Sequence, residues 1–291
     1  MKSILGYLFI LFNCIITTDA EVSMGTTILA IRYRDGVVVG ADSRTSVSGY
    51  VSNRFATKIS FILNHGEFEI SPPSLIQKQS RFWKSNQKQS VEHGDETATS
   101  DINNKGSTCC ICRSGSAADT QYIADLVRHQ LLKRRIVNHT CSSISEVANL
   151  IKNYLNSDGL SASLICAGYD HVSNEGCIYS IDLGGTIMEQ PMWACNGSGS
   201  GYILGYIDDH YKVEDGQPIM SEEEAVNFVG NAIELAMDRD GSSGGVIRIY
   251  VIDKNGKKSI LHIPSKYMQM SASKEISNQI SSQFAPPKRQ S

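Results

Sequence analysis

Apolar residues recur along the chain in two rhythms. Thr26 to Tyr33 is apolar and β-branched, Arg34-Asp35-Gly36 supplies a turn, and Val37-Val38-Val39 resumes an extended run, which predicts a hairpin. A second hairpin is predicted near the end, where Val246 to Val251 and Ser259 to Ile263 flank Asn255-Gly256, a dipeptide tolerant of positive φ. Helical spacing lies between. Ser116 and Asp119 open a stripe of Tyr122, Ile123, Leu126, Val127, Gln130 and Leu131. Ser143 to Leu155 carries a second stripe, stopped by Asp158-Gly159, and Ser221 with Glu224 caps a long helix ending at Asp240-Gly241. Ser161 to Tyr169 and Cys177 to Met188 read as strands, and Tyr202 to Tyr211 as a short helical stretch. Segregated helix pairs and antiparallel hairpins predict an α+β layered sandwich, not alternating βαβ units.

Three regions fall outside the pattern. Met1 to Ala20 has one early lysine, an apolar stretch from Ile4 to Ile16 and small or polar residues up to Ala20, the shape of a secretory signal peptide. Secretion would make Asn138-His139-Thr140 a glycan acceptor. From about 64 to 108 nothing periodic survives: Pro72-Pro73, four glutamines and an acidic run read as a polar insertion or an artefact of the gene model. Pro264 closes the last strand, and 265–291 reads as a flexible C-terminal extension.

Composition narrows the function. The 291 residues are 41% apolar and 20% charged, as in an ordinary globular chain. A formal charge of −3 leaves no strong field for nucleic acid or an anionic membrane. Eight scattered cysteines lack the spacing of a small disulfide scaffold and suggest a reducing compartment, against the leader. Cys109, Cys110 and Cys112 have no second pair or nearby histidine to complete a metal site, so they read as a buried strand and no metal is expected. Phosphate-loop, His-Glu-x-x-His and nucleophile-elbow motifs are missing, although Gly197-Ser198-Gly199-Ser200-Gly201 superficially approaches the last.

What stands out is Gly25-Thr26-Thr27-Ile28 leading into a strand, Gly40-Ala41-Asp42-Ser43-Arg44 after the hairpin, Lys58, Arg113-Ser114-Gly115-Ser116-Ala117-Ala118-Asp119 opening a helix, and Arg239 to Gly245 far along the chain. Singly, these are strand, turn, cap and surface residues. Together, from about Thr26 to Ile263, the set resembles the catalytic beta subunits of the 20S proteasome, threonine hydrolases of the N-terminal-nucleophile class, and most closely the subunit with caspase-like specificity.

The resemblance implies a four-layer αββα sandwich over 26–264 and a leader, 1–25, removed by autocatalytic cleavage between Gly25 and Thr26. It implies catalytic roles for Thr26, Asp42, Lys58, Gly115, Ser198, Asp240 and Ser243. It places Arg113, Thr45, Ser46, Ala56 and Ala117 around the bound side chain, with cleavage after Glu or Asp. Ala56 stands where a threonine is expected, which would weaken the acidic preference. No cofactor is implied. The implied partners are the other alpha and beta subunits of a hetero-oligomeric barrel and unfolded polypeptide substrates, in ATP- and ubiquitin-dependent degradation in cytoplasm and nucleus, with neither nucleic acid nor membrane involved. Two alternatives stay open: a structural ring subunit whose site the insertion blocks, and a secreted amidohydrolase of the same nucleophile class.

The chemistry follows from the residue types. A threonine hydroxyl needs a base within hydrogen-bond reach. A freed α-amine, with a reference pKa of roughly 7.7 to 8.0, is partly neutral at pH 7 and can serve as that base.

Overall fold

The computed structural model describes residues 25–47, 50–63, 106–138, 141–158 and 160–264. Residues 1–24 of the leader, most of the polar insertion, His139 and Thr140 of the sequon, and the C-terminal extension lie outside the described residues.

Strands β1 (Ile28–Tyr33) and β2 (Gly36–Ala41) form the first predicted hairpin, and β13 (Ile247–Asp253) and β14 (Gly256–His262) the second. Both belong to one antiparallel sheet, ordered β10-β1-β2-β13-β14, with β10 at Trp193–Asn196. The second sheet runs β5-β6-β7-β8-β9, from β5 (Ile59–Leu63), β6 (Thr108–Gly115) and β7 (Ala162–Asp170) to β8 (Glu175–Ile181) and β9 (Ile187–Glu189). Helices α1 (Ala117–Asn138) and α2 (Ile144–Asp158) cover the outer face of the second sheet. Helix α4 (Glu222–Arg239), with the short α3 (Leu204–His210), covers the first. The order of layers is helix, sheet, sheet, helix, an α+β sandwich as expected.

Side-chain alternation sorts the strands into three apolar layers. On β1, Leu29, Ile31 and Tyr33 face α4 while Ile28 and Ala30 face the other sheet. On β6, Cys109 and Ile111 face α1 and α2, and Cys110 and Cys112 face inward. Because the inner strands of each sheet are covered on both faces, they read as continuous apolar runs. The buried-strand reading of the cysteines holds: Cys109, Cys110 and Cys112 are all 0% exposed. Each fully buried isoleucine or leucine contributes about 1.5–3 kcal/mol relative to exposure.

Several sequence expectations are corrected. Residues 106–108 belong to the fold and not to the insertion: the Ser107 hydroxyl donates to Asp170 at 3.0 Å, and Thr108 opens β6. The run Cys177 to Met188 is two strands, because Gly184 and Gly185 take positive φ in a turn between them. At the helix start marked by Ser116 and Asp119, the Asp119 N–H donates to Ser116 Oγ at 3.4 Å, while the Asp119 carboxylate accepts from Ser161 N–H at 3.1 Å and ties the start of α1 to β7. The box at Ser221 and Glu224 is reciprocal, as the sequence predicts. Strands β3 (Thr45–Val47), β4 (Tyr50–Asn53), β11 (Val213–Glu214) and β12 (Gln217–Pro218) have no apolar rhythm to announce them.

Candidate active site

One end of the sandwich collects the start of β1, the end of β2, the start of β5, the end of β6, the turn after β10 and the loop after α4. It thereby assembles residues from six separate stretches of sequence. Thr26 is 4% exposed there, with its bond to Gly25 intact. A Cβ on Gly25 would fall 2.1 Å from the Cβ of Ser242, so only glycine fits ahead of the threonine.

Asp42 leaves β2 fully buried and accepts four hydrogen bonds. Lys58 Nζ donates to Oδ1 at 2.6 Å and Thr27 N–H at 2.9 Å, while Arg44 and Gly244 N–H groups reach Oδ2 at 3.2 and 3.0 Å. A buried carboxylate persists only with such pairing. Burial pulls the Lys58 pKa below its ordinary value, with Asp42 opposing that shift. Lys58 also donates to the Gly25 carbonyl at 2.9 Å, and the Thr26 hydroxyl donates to the same oxygen at 2.8 Å.

Asp240, the residue that ends α4, forms a second centre. Its Oδ2 accepts from the hydroxyls of Ser198 and Ser243, each at 2.7 Å, and its Oδ1 from Ser242 N–H at 3.0 Å. Burial alone would raise the Asp240 pKa, but these donors outweigh it and hold the carboxyl below its usual value. Thr26 N–H donates to Ser198 Oγ at 3.1 Å.

Beside Thr26 lies a cavity of about 60 Å³ lined by Gly25, Thr45, Ala56, Thr57, Lys58, Arg113, Gly115, Ala117, Thr120 and Gln121. The Arg113 guanidinium donates to the Thr57 carbonyl, while its buried Nε has no partner among the described residues. Burial lowers the Arg113 pKa and nearby Asp125 opposes it, but a guanidinium stays charged. Gly115 ends β6 at φ 104°, where a Cβ would stand 2.8 Å from the Ser161 carbonyl oxygen. Glycine at this place lets the chain turn into α1 beside Thr26.

The structure thus brings together Thr26, Asp42, Lys58, Gly115, Ser198, Asp240, Ser243, Thr45, Ala56, Arg113 and Ala117. Ser46 is the exception. It is buried outside the cavity lining, and its hydroxyl donates to the Ser242 carbonyl at 3.5 Å. Sequence reasoning missed Thr27, Thr57, Thr120 and Gln121. The last two stand three and four positions beyond Ala117, a helical spacing that could have revealed them. Thr57 acts through its carbonyl, which leaves no trace in residue type.

Lys58 and Arg113 are separated by the long insertion yet lie side by side, with Arg113 N–H donating to the Lys58 carbonyl at 2.8 Å. The described chain stops at Leu63 and resumes at Gly106, and Leu63 pairs with Cys109 at the other end of the β5–β6 ladder. Four residue steps along the strand, about 13 Å of chain, separate Ile59 from Leu63.

A threonine at the open end of two stacked sheets, each covered by helices, defines the class: the fold is that of the N-terminal-nucleophile hydrolases. Comparison with known proteins identifies the family. The description "Proteasome subunit" matches residues 22–66 and 93–252, bracketing the centre of the insertion. Similar proteins include "Probable proteasome subunit beta type-1" of Schizosaccharomyces pombe, 39% identical over 81% of this chain and 83% of its own. "Proteasome subunit beta type-1" of Saccharomyces cerevisiae is 35% identical over 86% and 94%, and "Proteasome subunit beta type-6" of Dictyostelium discoideum 38% over 82% and 89%. The chain belongs to the proteasome subunit family, as a beta subunit of the 20S core that assembles with other subunits into a barrel.

Proposed function

We propose that this beta subunit is an active threonine endopeptidase that cleaves after acidic residues. The observation that carries the reading is the convergence of Lys58 Nζ and Thr26 Oγ1 on the Gly25 carbonyl, with Lys58 held by buried Asp42. In maturation the Thr26 hydroxyl attacks the Gly25 carbonyl carbon, and Lys58 polarises the oxygen it already touches. The amide nitrogen leaves as the new α-amine, the acyl group passes to Oγ1, and water hydrolyses the resulting ester. Residues 1–25 are released.

In the mature subunit that amine takes the proton from the Thr26 hydroxyl as it attacks a substrate carbonyl. Lys58 disfavours the protonated amine by like charge. Gly115 N–H is the donor for the substrate oxyanion, and Ser198, Asp240 and Ser243 order the amine. Arg113 reads the side chain ahead of the cut: a carboxylate supplies the acceptor that its buried Nε lacks. Thr45, Ala56 and Ala117 shape the same cavity.

Residues 26–264 act as one catalytic domain. Support for an open site over a blocked one comes from the β5–β6 ladder, which roots the insertion away from Lys58 and Arg113. The substrates are unfolded polypeptides, and the setting is protein degradation in cytoplasm and nucleus. The test is a fluorogenic peptide with glutamate at the cleavage point, offered to the assembled particle. Turnover that Thr26→Ala abolishes supports the enzyme, and no turnover by the unaltered particle overturns it.

A further inference from the structure

We propose that Thr27, the residue after the nucleophile, is a positioning residue that holds the Ser243–Asp240–Ser198 array in place beside the Thr26 nitrogen. The inference rests on the reading of Thr26 as nucleophile and base. Thr27 is 0% exposed and joins both carboxylate centres. Its N–H donates to Asp42 Oδ1 at 2.9 Å, the oxygen that also holds Lys58. Its hydroxyl lies 2.8 Å from Ser243 Oγ.

The direction of that last bond follows by elimination. The Ser243 hydroxyl has one proton, and Asp240 Oδ2 takes it at 2.7 Å. Ser243 Oγ is therefore an acceptor toward Thr27, and Thr27 is the donor. Ser198 likewise gives its proton to Asp240 Oδ2, which leaves its lone pairs to Thr26 N–H. Two chains of hydrogen bonds thus converge on one carboxylate, from the Thr27 hydroxyl through Ser243 and from the Thr26 nitrogen through Ser198.

The chemical consequence concerns the base. A neutral amine accepts a proton only if its lone pair is free. Ser198, held as an acceptor, draws one N–H of the amine toward itself and donates nothing to the lone pair. Removing the Thr27 hydroxyl leaves Ser243 Oγ a buried acceptor without that donor, and the Ser243–Asp240–Ser198 array loses the side-chain bond that ties it to the Thr26–Thr27 segment. Ser198 then sits less firmly against the nitrogen as an acceptor and favours the protonated amine less, so the amine pKa falls. The charged groups around the pair, Asp42, Lys58, Arg44 and Asp240, are unchanged by the substitution.

The test uses the assembled core particle with the glutamyl peptide. Thr27→Val, nearly the same shape, is expected to lower kcat about tenfold and leave KM within a factor of about two, because Thr27 does not line the cavity. The acidic limb of the kcat profile moves to lower pH, and Thr27→Ser restores both rate and limb. A valine variant with unaltered kcat and limb overturns the inference, as does a serine variant as impaired as valine, which would point to methyl packing. Should Thr27→Val not assemble, Ser243→Ala removes the acceptor of the same proton and must shift the limb in the same sense; an unshifted limb overturns the inference. Thr26→Ala turning over the peptide at the unaltered rate would instead overturn the reading of the site, and this inference with it.

Discussion

Asp42 and Asp240 both reach the Thr26–Thr27 pair but keep different company. Asp42 is fully buried and faces a cation and three backbone N–H groups; Asp240 faces two hydroxyls and a backbone N–H. The first centre holds charge next to the carbonyl to be attacked. The second holds no cation and can only decide which way hydroxyl protons point. One arrangement supplies electrostatic stabilisation and the other orientation, so their losses should differ in size and in kind.

The largest effect is expected from Thr26→Ala. It removes the nucleophile common to both centres, so turnover of the glutamyl peptide falls to background and the peptide bond following Gly25 stays intact by mass spectrometry. Lys58→Ala comes next. It leaves Asp42 an unpaired buried charge, which costs about 3–5 kcal/mol, so precursor accumulates and the thermal midpoint of the particle drops. Asp240→Asn keeps a neutral acceptor in place and should lower kcat by about ten- to a hundredfold without that loss of stability. Equal damage from the two substitutions would erase the distinction between the centres.

Two smaller effects sharpen it. Arg113→Gln lies in neither centre and should raise KM for the glutamyl peptide by about 10- to 100-fold, the worth of a hydrogen bond to a charge, with kcat little changed. Ala56→Thr adds a hydroxyl to the cavity and should improve selectivity for glutamate over leucine by only about three- to tenfold.

The pH dependence separates the centres as well. Because its donors hold Asp240 below the usual carboxylate range, it stays ionised from pH 5 to 8, and an acidic limb near neutrality belongs to the α-amine. Burial lowers the pKa of Lys58, so its charge is lost at a lower pH than that of an exposed lysine and the alkaline limb should lie below the exposed-lysine range.

The charged centre is far more legible in the sequence than the cavity around it. Asp42 and Lys58 are ionisable residues beside strands with clear apolar rhythm, and Gly25 precedes a strand start. Sheets covered on both faces leave long apolar runs, so β1, β2, β6, β7 and β13 are readable, and the Asn255-Gly256 turn announces the half-exposed edge strand β14. Short strands such as β3 and β4 form where backbone geometry, not side-chain periodicity, decides. Ser46, which the resemblance groups with the bound side chain, lies outside the cavity lining because its side chain turns to the Ser242 carbonyl. Thr27 escapes notice because its hydrogen bonds run to partners distant in sequence and partly through its main chain. The two sides of the insertion meet because of strand pairing between β5 and β6, a long-range fact that no local pattern contains.

The most direct measurement is the N-terminal mass of this subunit isolated from the assembled particle. The account predicts a chain that begins at Thr26 with a free α-amine. A subunit that still carries Gly25, or anything upstream of it, has no such base and would contradict the account.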